Sequence, residues 1–132
     1  MSATGIISKT SSSDFETTYQ KLKAVIDSNP NLKIVAELNH QANAASVNLN
    51  LNPTRIIMFG NPNLGTPLMQ NAPLVGLDLP QKILVHQAND GAVVVSYNDP
   101  LYLKERHGIT DNAAVLQKIA GALNALTNAA IQ

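Results

Sequence analysis

The chain has 132 residues, nine Lys and Arg against nine Asp and Glu, 45% hydrophobic residues and no cysteine. A length and composition of this kind describe one globular domain, 1–132, able to bury about two thirds of its unfolded surface. They exclude disulfides, thiolate metal sites and a cysteine nucleophile. Neutrality and scattered basic residues also argue against nucleic acid, whose binders concentrate charge on one face.

The longest apolar runs, Ile56-Ile57-Met58-Phe59 and Ala92-Val93-Val94-Val95, are far too short for a membrane span. No basic segment followed by an apolar stretch opens the chain, so no secretory signal is read and a cytoplasmic location is expected. No helix combines a basic face with a bulky aromatic edge, so no membrane-surface role is expected.

In chain order, Gly5 to Thr10 reads as a first strand. Ser13-Asp14-Phe15-Glu16 has the form of a capping box, with Ser13 as cap. Phe15, Tyr19, Leu22 and Ile26 form one helix face, and Asn29-Pro30 stops it. Leu32, Ile34, Ala36 and Leu38 alternate as a half-buried strand, with Val35 breaking the pattern. Asn39 to Asn52 fits either a helical turn or an irregular connection.

Arg55 to Phe59 reads as a strand covered on both faces. A proline-rich segment with one or two short helices follows, and Thr66-Pro67 is a good helix start. Lys82 to Ala88 and Ala92 to Tyr97 form a hairpin through Asn89-Asp90-Gly91. Asp99-Pro100 caps a short helix that Gly108 ends. Thr110 or Asp111 starts a long helix striped by Leu116, Ile119, Leu123 and Leu126, with Ala113, Ala120 and Ala130 permitting close approach. The order β-α-β-(irregular)-β-(turns)-β-β-α-α predicts an α+β domain, mainly antiparallel, with helices packed on one sheet face.

Five of the seven prolines (Pro53, Pro62, Pro67, Pro73, Pro80) fall in or beside the middle third, and shaped loops commonly carry function. Gly60-Asn61-Pro62-Asn63-Leu64-Gly65-Thr66-Pro67 places Asn61 and Thr66 beside a helix N-terminus suited to an anion. It lacks the Lys and spacing of a phosphate loop, and turn chemistry alone accounts for its composition. In the segment 99–108, Arg106 is a guanidinium for a carboxylate, a ligand's or that of Asp78. His107 is then a proton-transfer group or donor, although helix-end electrostatics explain both residues equally well.

Asp78, between Leu77 and Leu79, either caps a turn or serves as a partly buried base. His40, His86 and His107 show no metal-ligand spacing, so no metal site is predicted, and no cofactor is implied. No Gly-x-Ser-x-Gly elbow supports serine catalysis.

Several motifs together resemble a known family. They are Asn39-His40-x-x-Asn43-Ala44, Phe59-Gly60-Asn61-Pro62-x-x-Gly65-Thr66-Pro67-Leu68-Met69, Leu77-Asp78-Leu79-Pro80-x-Lys82, Asp90-Gly91, and Tyr97-x-Asp99-Pro100-x-Tyr102-Leu103-x-x-Arg106-His107-Gly108. In order and spacing, over roughly residues 5 to 130, the chain resembles domain of unknown function 302 of bacteria and archaea. Lys82 stands where that family often has Arg, which weakens a bidentate role there. The resemblance implies a β-α-β-β-β-β-α-like fold with a TATA-binding-protein-type layout, and often a dimer. It implies no activity and no catalytic residue.

Three functions follow as expectations. The first is a binding module for a small polar or anionic molecule, held in one pocket by His40, Asn43, Asn61, Thr66, Asp78, Lys82, Asp99, Arg106 and His107. The second is a homodimeric structural or interaction protein using exposed Leu64, Leu68, Met69, Leu74 and Val75. The third is an enzyme using Asp78 or Asp99 with His107 for acid–base work.

Overall fold

A computed structural model describes residues 4–132. Five strands, β1 (Ile6–Thr10), β2 (Lys33–Asn39), β3 (Thr54–Gly60), β4 (Gln81–Gln87) and β5 (Val93–Asn98), form one antiparallel sheet in the order β1-β5-β4-β3-β2. Helix α1 (Phe15–Asp27) follows β1, and α2 (His40–Ala45) lies between β2 and β3. Helix α3 (Pro62–Asn71) and a 3-10 helix (Pro73–Leu77) link β3 to β4, while α4 (Pro100–His107) and α5 (Ala113–Ile131) end the chain. This is the α+β arrangement expected from the sequence, with short helices inserted into a β-α-β-β-β-β-α order.

Strand register explains why one face is buried. Ile57 pairs with Ile83 and Ile83 with Tyr97, while Val85 pairs with Val95. These residues join Leu22 and Ile26 of α1 and Leu116, Leu123 and Leu126 of α5 in the core. Residues one step out of phase, Ile56, Met58, Leu84 and Val94, are half-buried on the other face. β3 is therefore not covered on both faces as its apolar run suggested; alternation decides burial in a sheet packed on one side.

Local chemistry corrects several boundaries. Asp14, not Ser13, caps α1: its Oδ1 accepts from the Thr17 amide at 2.7 Å. That contact holds the Asp14 carboxyl below the usual carboxylate range. Glu16 instead reaches Arg55 at 3.1 Å. Val35 breaks the β2 pattern because the register slips between Ile34 and Ala36, leaving Val35 63% exposed; an extra residue on one strand kinks it in this way.

Asn39 caps α2, taking the Ala42 amide on Oδ1 at 2.9 Å. Helix α3 begins at Pro62 rather than Thr66-Pro67, because Asn61-Pro62 is itself a cap followed by a first-position proline. Pro67 then falls inside the helix. The long helix begins at Ala113 rather than beside Thr110 or Asp111. Asn112 precedes it at φ 66° and donates through Nδ2 to the Pro67 carbonyl at 3.3 Å. Of its small residues Ala130 is buried, whereas Ala113 faces solvent.

The hairpin and α4 form as read. Gly91 turns at φ 92°, and Ala88 donates to the Ala92 carbonyl at 2.8 Å. Asp99 caps α4 through Oδ1, and Gly108 ends it at φ 61°. Gly5 packs against Tyr102 so closely that a Cβ there would collide with the ring. That contact and the Asp99 amide donating to the Gly5 carbonyl at 2.9 Å seat α4 against the start of β1.

Candidate functional site

At the end of the sheet where β3 finishes, α3 and α5 leave a cleft of about 410 Å³. A volume of this size lies in the range of small-molecule sites. Its walls are Leu32, Phe59, Leu64, Met69, Leu79 and Leu123, with Ile119 and Ala122 of α5 contributing as well. Asn61, Thr66, Gln81 and Lys33 are its polar or charged contributors, and it has no carboxylate. Phe59 and Gln81 are cross-strand partners, and Gln81 is in phase with Ile83 and Val85 on the buried face. Its Nε2 is enclosed and has no hydrogen-bond partner.

The N-terminus of α3 borders this cleft, but its amides are committed. Pro62 has none, Asn63 donates to Asn61 Oδ1 at 3.0 Å, and Leu64 and Gly65 donate to the Asn61 carbonyl at 2.9 and 3.0 Å. Asn61 thus acts as the helix cap. Thr66 also lines the cleft.

A second, polar cluster gathers at Asp78, just beyond the 3-10 helix. Arg106 Nη1 donates to both Asp78 oxygens at 3.0 Å, a single-nitrogen contact rather than a two-nitrogen fork. His107 Nε2 lies 2.5 Å from Asp78 Oδ2, with its side chain only 6% exposed. Lys82 Nζ donates to the carbonyls of Asp78 and Pro80 at 3.4 and 3.2 Å. Carboxylate, imidazole and guanidinium therefore tie the segment before β4 to the end of α4, while the Lys82 ammonium braces that segment against β4. A recess beside Arg106 and His107, more polar than the cleft, is shared with Leu74, Thr110 and Asp111.

The other expected residues lie elsewhere. His40 and Asn43 sit on α2, reached from Asn39, which pairs with Arg55 at the start of β3. Five residue steps separate that end of β3 from Gly60, roughly 17 Å at about 3.3 Å per residue. Asp99 is occupied as the α4 cap. The nine residues thus divide among a cleft (Asn61, Thr66), a cluster (Asp78, Lys82, Arg106, His107), a cap (Asp99) and a distant helix (His40, Asn43). Of the apolar patch expected around the prolines, Leu68 and Val75 are core residues at 1% and 0% exposure, while Leu74 is 71% exposed.

Sequence reasoning missed Gln81 and the α5 wall. A period-two count would have found Gln81, since it places an amide in the row of Ile83 and Val85. Among the described residues, no group of three or more His, Cys, Asp or Glu could hold a metal ion. Among the same residues, no helix is long and apolar enough to cross a membrane.

Comparison with known proteins supports the fold and family. The chain is 37% identical over 92 residues to the protein named Fluoride-specific ion channel FluC 1 of Brucella suis biovar 1 (strain 1330), covering 68% of this chain and 36% of that protein. The same identity and extent hold for FluC 1 of Brucella abortus biovar 1 (strain 9-941), of which 34% is covered. The chain thus spans about a third of the length of these relatives.

A crystal structure of an uncharacterized conserved DUF302 protein from Bacillus stearothermophilus superposes with a TM-score of 0.75. It shares 19% identity and matches over 98% of this chain and 97% of that one. The model of the family described as Domain of unknown function DUF302 matches residues 7–126. The chain belongs to the DUF302 family.

Proposed function

We propose that this domain binds a small, largely apolar molecule in the cleft between α3, α5 and the end of β3. The observation that carries the reading is the lining of the cleft, which is apolar almost throughout, with side chains such as Phe59, Leu64, Met69 and Leu123. Apolar walls with few polar groups are the usual composition of small-molecule sites. The reading departs from the purely polar or anionic ligand that the motifs suggested. Arg106 is engaged by Asp78, and the first amides of α3 are used by Asn61.

The activity named for the Brucella proteins, fluoride permeation, belongs to chains about three times longer than the matched part. A small hydrated anion gains nothing from the apolar walls that make up most of the cleft and would give up water there for few polar partners. Fluoride is therefore the control ligand.

Titration with N-phenyl-1-naphthylamine, an uncharged apolar fluorophore, tests the reading. Saturable enhancement at one site is expected, and Ala122→Phe, which fills the cleft from α5, abolishes it without lowering the melting temperature. Enhancement that Ala122→Phe leaves unchanged defeats the proposal, as does its absence.

A second reading, homodimerisation, draws on the sheet face opposite α1 and α5. Its row Leu38, Ile56 and Leu84 is continuous across three strands by register, and Leu38 and Ile6 are 41% and 39% exposed. Light scattering that returns a monomer at micromolar concentration removes it.

A further inference from the structure

We infer that the occupant of the cleft carries an oxygen acceptor at one end of an apolar body, most simply a carboxylate, and that Gln81 and Lys33 read it. The inference rests on the cleft being a ligand site and adds the chemistry of the ligand's head. Gln81 is held on the packed face of β4 beside Phe59, where its Nε2 is enclosed and without a partner. The large majority of buried side-chain polar atoms in folded proteins have a hydrogen-bond partner, so an enclosed amide nitrogen without one calls for an explanation.

Of the two ends of the carboxamide, only Nε2 is both enclosed and without a partner, and Gln81 lines the cleft. The terminal torsion of glutamine is broad and roughly two-fold. Turning the carboxamide over exchanges the places of its two ends, so the NH₂ has a second position to occupy, and an occupant with an oxygen acceptor within its reach gives that donor the bond it lacks.

The sign of the charge points the same way. Lys33 is the one charged residue among those lining the cleft, and no Asp or Glu opposes it. Its side chain forms no ion pair among the described residues. A hydrocarbon would leave both donors unused, and a cationic ligand would meet Lys33. A fatty or aromatic carboxylic acid uses the apolar walls for its body and the two donors for its head.

Displacement of bound N-phenyl-1-naphthylamine by decanoate and by decanol separates this inference from the reading beneath it. In the unmodified protein decanoate is expected to displace the fluorophore at a concentration about tenfold lower than decanol, the scale of a hydrogen bond to a charged group. Gln81→Leu removes most of that preference while the fluorophore still binds. Lys33→Gln reduces it by a smaller factor and flattens its dependence on salt. Equal displacement by decanoate and decanol overturns the inference and leaves the apolar site standing, as does a preference unchanged in Gln81→Leu. A fluorophore that never binds, or binds equally well in Ala122→Phe, removes the reading and this inference together.

Discussion

The cluster at Asp78 and the cleft beside α3 share the segment that runs from the 3-10 helix into β4, yet they use their side chains in opposite ways. At Asp78 three titratable groups answer one another: one carboxylate takes a guanidinium and an imidazole, and Lys82 caps two carbonyls beside it. In the cleft, apolar side chains face open space and an amide lacks a partner. The residues most suggestive of chemistry are engaged with each other, and those that read as packing leave the space. Reactive residue types are therefore weak evidence of a site until their partners are known.

Substitutions test this contrast, beginning with the largest effect. Leu123 is both core and cleft wall, at 1% exposure. Leu123→Ala should cost about 2–5 kcal/mol, as deletions of buried leucine do, and should widen the cleft; chemical denaturation measures the loss. Asp78→Ala leaves His107 enclosed and Arg106 unanswered, and about 2–3 kcal/mol is expected. A change below 0.5 kcal/mol would mean that the cluster is not architectural. Arg106→Ala should cost less, about 0.5–1 kcal/mol, because its side chain is 48% exposed.

A third polar contact sharpens the comparison through pH. Tyr19 donates to Glu37 Oε1 at 2.6 Å. That bond holds the Glu37 carboxyl below its ordinary value of 4.5, with Lys23 assisting against the cost of burial. Burial, then Glu37, pushes the Tyr19 hydroxyl up. Since the folded state lowers the Glu37 pKa, its contribution is complete above pH 4.5 and disappears as pH falls through the folded value. Tyr19→Phe removes the largest cause, so it should cost about 1 kcal/mol at pH 7 and clearly less at pH 3. Melting curves at the two values decide it. The smallest effect on stability belongs to Ala122→Phe, expected within about 0.5 kcal/mol of the unmodified chain because it projects into open space.

Much of the fold could be read from local signals. The hairpin at Asn89-Asp90-Gly91, the Asp99-Pro100 start and Gly108 end of α4, and the Leu116, Ile119, Leu123, Leu126 stripe each rest on a few neighbouring residues. Misplaced boundaries arose where two signals competed. Asn61-Pro62 took the role given to Thr66-Pro67, and Asp14 took the cap given to Ser13. The pairing of Arg106 with Asp78 stood as one of two alternatives, but nothing local could place His40 at the far end of β3. The cleft was out of reach because its walls come from β2, β3, α3 and α5, and such convergence is a property of topology rather than of any segment.

The position of β1 has a consequence for how the chain assembles. β1 is an edge strand whose hydrogen-bonded neighbour is β5, with Ile6 opposite Asn98. Lys9 then reaches Asn124, Thr127 and Asn128 of α5, each at 2.8 Å. During synthesis from the N-terminus, the first strand must wait some ninety residues for its neighbour and longer for its anchor. Closing so large a loop is slow, and until then β1 offers an unpaired edge to other chains. Helix α5 therefore lends the cleft a wall and also shuts the sheet, so the edge strand and the cleft should mature together, only once α5 has been made.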